Sequence, residues 1–363
     1  MKLGCLVLLS ALLVAAGAQA ATTTDGLGLP ALKPPPPAQV SLGRKLFFDR
    51  RLSVNGTLSC AMCHVPAQGF TANELRTSVG MEGLSLRRNA PSLLNVAHVK
   101  HLFVDGRVDS LEAQALQPLV HPDEMANPSI GAAMRRINAL PDYRSALRAA
   151  FGGSHATPKR VAAALAAYQR TLVAADTPFD RWRYGGQPLA MGVAAQTGFA
   201  LFQRLGCTQC HSVGAQHALF SDGRFYNVGV QARTQARRLL PVNVHLVPGQ
   251  VTQVTPQELS RIGVEDAPDR GRHEVTGRAR DQRAFRTPSL RNVALTAPYM
   301  HDGSLDTLDD VLDHYVAGGT PSDPWQDSLI RPLALDSTQR RDLLAFLHAL
   351  TSPAALRLGQ SGP

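Results

Sequence analysis

The chain has little with which to build a cross-linked or membrane-embedded protein. Of its five cysteines, Cys5 falls in an N-terminal apolar stretch, and the other four make up two pentapeptides, Cys60-Ala61-Met62-Cys63-His64 and Cys207-Thr208-Gln209-Cys210-His211. No cysteine is left for a structural disulfide. No apolar run after residue 20 is long enough to span a bilayer. Aromatic residues make up only 6% of the chain, which is thin for two dense cores without help from large apolar groups. No stretch of strand length alternates convincingly, so the expectation is a mostly α protein with long loops.

The N-terminus carries one positive charge at Lys2, an apolar stretch from Leu3 to Ala16 and the small-residue ending Ala18-Gln19-Ala20. This predicts a signal peptide over 1–20, export to the periplasm and no membrane span after cleavage. Formal net charge is +9. Nucleic acid is the usual partner of a basic chain, but an exported protein meets none, and the arginines are scattered instead of forming a stripe. A basic surface that steers an acidic redox partner is the sharper reading of this charge, and a merely solvated surface is the blander one.

Pro34 to Pro37 predict a stiff leader over 21–40, with the folded part starting at Val40 or Ser41. A short helix at Leu42-Gly43-Arg44-Lys45-Leu46-Phe47-Phe48 leads into the first pentapeptide, and Thr197-Gly198-Phe199-Ala200-Leu201-Phe202 leads into the second. Downstream, 90–97 (Ala-Pro-Ser-Leu-Leu-Asn-Val-Ala) matches 287–294 (Thr-Pro-Ser-Leu-Arg-Asn-Val-Ala), and Asp105-Gly106-Arg107 matches Asp302-Gly303-Ser304. Both pairs of blocks lie 197 positions apart. Two spaced blocks at one offset predict an internal duplication, with units over 41–180 and 181–355. His64 and His211 are only 147 positions apart, so the second unit holds about fifty extra residues, including the arginine-rich stretch from Arg233 to Arg286, expected as loop. Further helices are predicted after Thr157-Pro158, with Val161, Leu165, Tyr168 and Leu172 on one face, and from Ser337 to Leu350.

Cys-x-x-Cys-His carries a specific chemistry. Two thiols one helical turn apart form thioethers with the haem vinyl groups, and the following histidine ligates iron. A lone Cys-x-x-Cys would leave a zinc half-site or a redox dithiol open, and two following histidines in an exported chain weaken both. Two covalently bound haem c groups are therefore expected, through Cys60, Cys63 and His64 and through Cys207, Cys210 and His211. Function then turns on whether each iron's sixth position is closed by a protein ligand or left open.

From about Leu42 to Leu350 the chain resembles the bacterial di-haem cytochrome c peroxidases together with the MauG-type enzymes. The resemblance rests on Leu-Gly-Arg-Lys-Leu-Phe-Phe-Asp at 42–49, both haem motifs, Arg88-Asn89-Ala90-Pro91-Ser92-Leu93, Asp105-Gly106-Arg107, Leu111-Glu112-Ala113-Gln114-Ala115, Pro122-Asp123-Glu124-Met125 and the run from Thr287 to Gly303. It implies an N-terminal haem that reacts with hydrogen peroxide and a C-terminal haem that accepts or stores electrons. It places Gln114, Pro118 and Glu124 over the N-terminal iron, with Glu124 as general acid and base. It makes Tyr315, nineteen positions after Thr296, the sixth ligand of the C-terminal iron, with His314, Met300 and His301 as rivals. It also implies a calcium ion held by Asn89 and the carbonyls of Thr296 and Pro298.

Two positions depart from the peroxidase pattern. Met81 stands where a displaceable distal histidine is common, which favours an N-terminal haem open at rest. Val104 replaces the tryptophan usual between the haems, and an aliphatic side chain is no hopping station. The function expected is a periplasmic peroxidase fed by a small donor, a cytochrome c or cupredoxin. A MauG-type oxidase acting on a partner protein, favoured by Tyr315, is the alternative within enzymes, and a pure electron carrier is the alternative outside them.

Overall fold

The computed structural model describes residues 26–230 and 268–360, together with the strands Val242–Val247 and Gln250–Val254. The expected signal peptide lies outside the described residues, as does part of the expected loop. Twelve helices are described: α1 Pro37–Phe48, α2 Cys60–Cys63, α3 Leu111–Val120, α4 Ile130–Ala139, α5 Arg144–Phe151, α6 Pro158–Gln169, α7 Pro178–Arg183, α8 Val193–Arg204, α9 His273–Thr276, α10 Leu308–Val316, α11 Ser337–His348 and α12 Pro353–Gly359. The strands β1 Phe225–Tyr226, β2 Val242–Val247, β3 Gln250–Val254 and β4 Phe285–Arg286 pair antiparallel as β1 with β4 and β2 with β3.

The helices start where the sequence supplies caps. Thr157 accepts from the Arg160 amide and Pro158 takes the first turn of α6, where its missing N–H costs nothing. Thr307 and Asp310 form a reciprocal capping box on α10, and Asp336 and Gln339 another on α11. Two expectations are corrected. The hairpin β2–β3 falls inside the arginine-rich stretch expected as loop, and Val242, Val244 and Leu246 alternate there over too short a span to stand out in the sequence. The leader does not stay outside the fold: α1 begins at Pro37, and the Gly28 carbonyl accepts from buried Arg291.

Two hydrophobic clusters organise the described residues. The first gathers Leu42, Leu46, Phe47, Phe70, Leu119, Ile137, Tyr143, Leu147 and Val161, and Ala355 of α12 returns to it. The second gathers Phe179, Phe199, Phe202, Phe220, Leu343 and Phe346. Scarce aromatics are concentrated there: Phe179 lies 5.1 Å from both Phe199 and Phe220, and Phe202 5.1 Å from Phe346. Each cluster is built on one helix pair, α1 with α6 and α8 with α11.

At the crossing of each pair stands a glycine. A β-carbon on Gly43 would overlap the carbonyl oxygen of Ala164, and one on Gly198 would overlap that of Asp342. Four residues on from each glycine, Phe47 meets Tyr168 at 5.2 Å and Phe202 meets Phe346. The blocks 197 positions apart also share local structure. Asn95 and Asn292 are both left-handed (φ 61° and 62°), each opens a short 3-10 turn, and the bridges Leu102–Val108 and Tyr299–Leu305 follow.

Because backbone carbonyls occupy the space, Gly43→Ala or Gly198→Ala forces the crossing helices apart. Each substitution is expected to destabilise the protein by about 1–3 kcal/mol, seen as a lower midpoint in denaturant melts.

Candidate active site

The two Cys-x-x-Cys-His segments fold alike. In each, the histidine amide closes on the first cysteine's carbonyl, His64 on Cys60 and His211 on Cys207, both at 2.9 Å, so both thiols and the imidazole leave one tight turn. His64 Nδ1 donates to the Phe70 carbonyl at 3.1 Å and His211 Nδ1 to the Phe220 carbonyl at 2.8 Å. Both phenylalanines are left-handed (φ 58° and 50°) with side chains buried in the two clusters. A bulky residue in that region costs of order 1–3 kcal/mol, and here it aims a carbonyl at an imidazole. With its proton held at Nδ1, each ring keeps the Nε2 lone pair for a metal. Burial lowers the pKa of both imidazoles, keeping them in the neutral form that ligation needs.

None of the four cysteines in these segments is paired in a disulfide, and burial pushes the Cys60 thiol up to about 12 and Cys207 up to about 11. A protonated, unpaired dithiol beside a neutral, oriented imidazole fits covalent haem attachment at both places. Among the described residues no group of three or more His, Cys, Asp or Glu could hold a metal ion. A zinc site of that composition therefore finds no support.

In the N-terminal half, α3 carries Gln114 and Pro118. Pro118 lacks the N–H that would close on the Gln114 carbonyl. The Gln114 Oε1 is buried with no hydrogen-bond partner. Past the helix end, the turn that holds Glu124 is locked by amide bonds from Met125 to Pro118, from Ala126 to His121 and from Asn127 to Leu119. Desolvation raises the Glu124 pKa, Asp123 adds to it, and His121 and Arg107 oppose it. The Glu124 charge in turn raises the thiols of Cys60 and Cys63, so the carboxylate lies within electrostatic reach of the first segment. Met81 is buried in a loop closed on this turn, its amide bound to the Asp123 carbonyl at 2.8 Å.

At the second segment, burial raises the Tyr315 phenol well above its ordinary pKa, and the Cys207 and Cys210 thiols contribute. Tyr315 is partly buried and lies within electrostatic reach of both cysteines. Of the rival ligands, His314 places Nε2 2.8 Å from the Val228 carbonyl, and His301 stacks on Phe285 with centroids 3.6 Å apart.

Between the sites, Arg88 binds Asp105 at 2.6 Å and Asp269 at 2.6 Å, and Arg272 donates to the carbonyls of Asp105 and Gly106. The Val104 carbonyl accepts from the Arg286 amide at 2.8 Å, and Asn89 Nδ2 donates to the Pro298 carbonyl at 2.7 Å. Sequence reading missed the Phe285–His301 stack, Arg286 and His121. His121, three positions before Glu124, is the one that proximity in sequence could have flagged.

Residues 37–188 match the family model described as di-haem cytochrome c peroxidase. Over 334 residues the chain is 39% identical to methylamine utilization protein MauG of Methylorubrum extorquens, spanning 91% of this chain and 83% of the relative. The chain belongs to the di-haem cytochrome c peroxidase family. Within that family it is also 37% identical over 364 residues to cytochrome-c peroxidase IdrP1 of Denitromonas iodatirespirans (94% and 92% covered). A solved MauG-like protein associated with microbial copper homeostasis superposes with a TM-score of 0.71 at 31% identity, covering 90% of this chain and 96% of that one. Membership makes the protein an oxidoreductase with haem c cofactors, acting on peroxide. No helix among the described residues is long and apolar enough to cross a membrane.

A carboxyl whose pKa is raised by burial is disfavoured as the anion in the folded state. Its unfavourable contribution is absent at acid pH and appears as pH rises above the unfolded carboxyl's pKa. Glu124→Gln should therefore raise the denaturation midpoint at pH 7, with the difference vanishing at acid pH where both side chains are neutral.

Proposed function

We propose that the protein reduces hydrogen peroxide in the periplasm at the haem attached through Cys60 and Cys63 and ligated by His64. Electrons from a small redox protein would enter through the haem held by Cys207, Cys210 and His211. The observation that carries this reading is a largely covered carboxylate, Glu124, whose charge acts on the Cys60 and Cys63 thiols, together with a buried, unpartnered amide oxygen, Gln114 Oε1, on the helix that precedes it.

When bound, the haems supply one iron that coordinates peroxide and a second that passes electrons. The chain's own residues handle the protons. Glu124 takes the proton of the proximal peroxide oxygen and returns it to the distal oxygen, so that the O–O bond breaks with water leaving; the partial burial that raises its pKa makes the carboxylate a readier proton acceptor. Gln114 Oε1, lacking an internal partner, accepts from the peroxide O–H and orients it. The turnover consumes one peroxide, two electrons and two protons and releases two waters.

Tyr315 is assigned as the oxygen ligand of the second iron, supported by its burial beside Cys207 and Cys210. An anionic oxygen ligand favours the ferric state and lowers the potential. The same tyrosine supports the MauG-type alternative, oxidation of a partner protein. The shared local structure 197 positions apart supports duplicated units over 41–180 and 181–355. A calcium ion at Asn89, Thr296 and Pro298 is supported by the buried, unpartnered Asn89 Oδ1 beside the Pro298 carbonyl.

Glu124→Gln is expected to cut peroxide turnover by about 10²–10⁴-fold with both haems retained. Undiminished turnover would leave the protein an electron carrier or move the acid–base role elsewhere. Tyr315→Met should raise one of the two haem potentials in a spectroelectrochemical titration, and an unmoved pair would remove Tyr315 from the iron.

A further inference from the structure

Two protons must enter the site from water in each turnover, and Glu124, the acid–base group assigned there, is largely covered, its side chain 27% exposed. The group that faces both Glu124 and solvent is His121. Its side chain is 44% exposed, and its Nδ1 lies 3.9 Å from Glu124 Oε1, a gap too long for a direct hydrogen bond. One bridging water spans such a gap. The same Nδ1 accepts the Asp123 amide at 3.3 Å. The ring therefore has two settings. Neutral, it holds the Asp123 amide with Nδ1 and keeps its proton on Nε2 toward solvent. Protonated on both nitrogens, it loses that amide bond and its new Nδ1–H turns to the carboxylate.

We infer that His121 is a proton relay that reloads Glu124 from solvent during peroxide reduction. This rests on the assignment of Glu124 as the acid–base group. His121 acts through Glu124 and does not touch peroxide. In each cycle an Nδ1–H bond of the imidazolium breaks, an O–H bond of the Glu124 carboxyl forms through the bridging water, and the bared Nδ1 regains a proton from solvent while Nε2 keeps its own. No electrons move in this step. An imidazole suits the task because it exchanges protons in both directions near neutral pH. The charges that face the pair are Arg107, which like His121 favours the Glu124 anion, and Asp123, which opposes it. The Cys60 and Cys63 thiols also face Glu124 and become neutral thioethers on haem attachment. The guanidinium of Arg107 is tied to Asp105 and Gln117 and delivers no proton.

The test compares the holoprotein with His121→Ala, His121→Gln and Glu124→Gln variants. His121→Ala is expected to slow peroxide turnover roughly tenfold, and added imidazole should restore it. His121→Gln still offers the Asp123 amide an acceptor but carries no proton, so it should be as slow as His121→Ala. In ¹³C-glutamate spectra of the ferric protein without peroxide, losing the His121 cation should move the Glu124 titration to higher pH. Unchanged turnover in His121→Ala, full turnover in His121→Gln, or a loss that imidazole does not repair would overturn the relay. If Glu124→Gln keeps full turnover, the failure lies in the Glu124 assignment itself.

Discussion

Backbone contact between crossing helices is the constraint on which the rest depends. At Gly43 and at Gly198 a helix lies so close to its partner that a carbonyl oxygen fills the place of a side chain. Such closeness fixes the axes of α1 with α6 and of α8 with α11, and it brings Phe47 and Phe202 onto Tyr168 and Phe346. Each Cys-x-x-Cys-His segment hangs from the end of the first helix of its pair. The left-handed phenylalanines complete the arrangement, since Phe70 and Phe220 anchor rings in the two clusters while their carbonyls orient the two imidazoles.

The two sites share this frame and differ in what stands opposite. In the N-terminal half, Glu124, the buried Gln114 Oε1 and His121 gather on α3 and the turn after it. In the C-terminal half, Tyr315 on α10 feels the Cys207 and Cys210 thiols. The region between them is bound chiefly by charge and backbone. Arg88 with Asp105 and Asp269, Arg272 with the carbonyls at 105 and 106, and Arg286 with the Val104 carbonyl tie the segment after residue 267 to the N-terminal half. Val104 gives no aromatic ring at its position, yet the adjacent Phe285–His301 stack puts two ring systems in contact beside it.

Buried polar groups show where the fold spends stability on something other than packing. Asp180 and Arg291 are almost fully buried, yet the pair is satisfied, with Arg291 also donating to the carbonyls of Gly28 and Ala218. Its role is to pin the N-terminal segment to the second cluster. The buried Gln114 Oε1 is not satisfied in this way. Unpaired polar atoms in a covered place are costly, and they are expected where a substrate supplies the missing partner.

The sequence alone determined the parts whose chemistry is local. Cys-x-x-Cys-His is legible because all its members lie within one turn, the capped helices α6, α10 and α11 because cap and apolar face are adjacent in the chain, and the recurring blocks because their offset is constant. Only the tertiary structure decided which distant groups meet. It brought Gly28 to Arg291, turned His314 Nε2 onto the Val228 carbonyl, and laid the loop of Met81 against Asp123. It also paired β2 with β3 and set His121 between Glu124 and solvent. Such contacts depend on how helices cross and where loops close, and spacing along the chain does not encode the direction in which a side chain finally points.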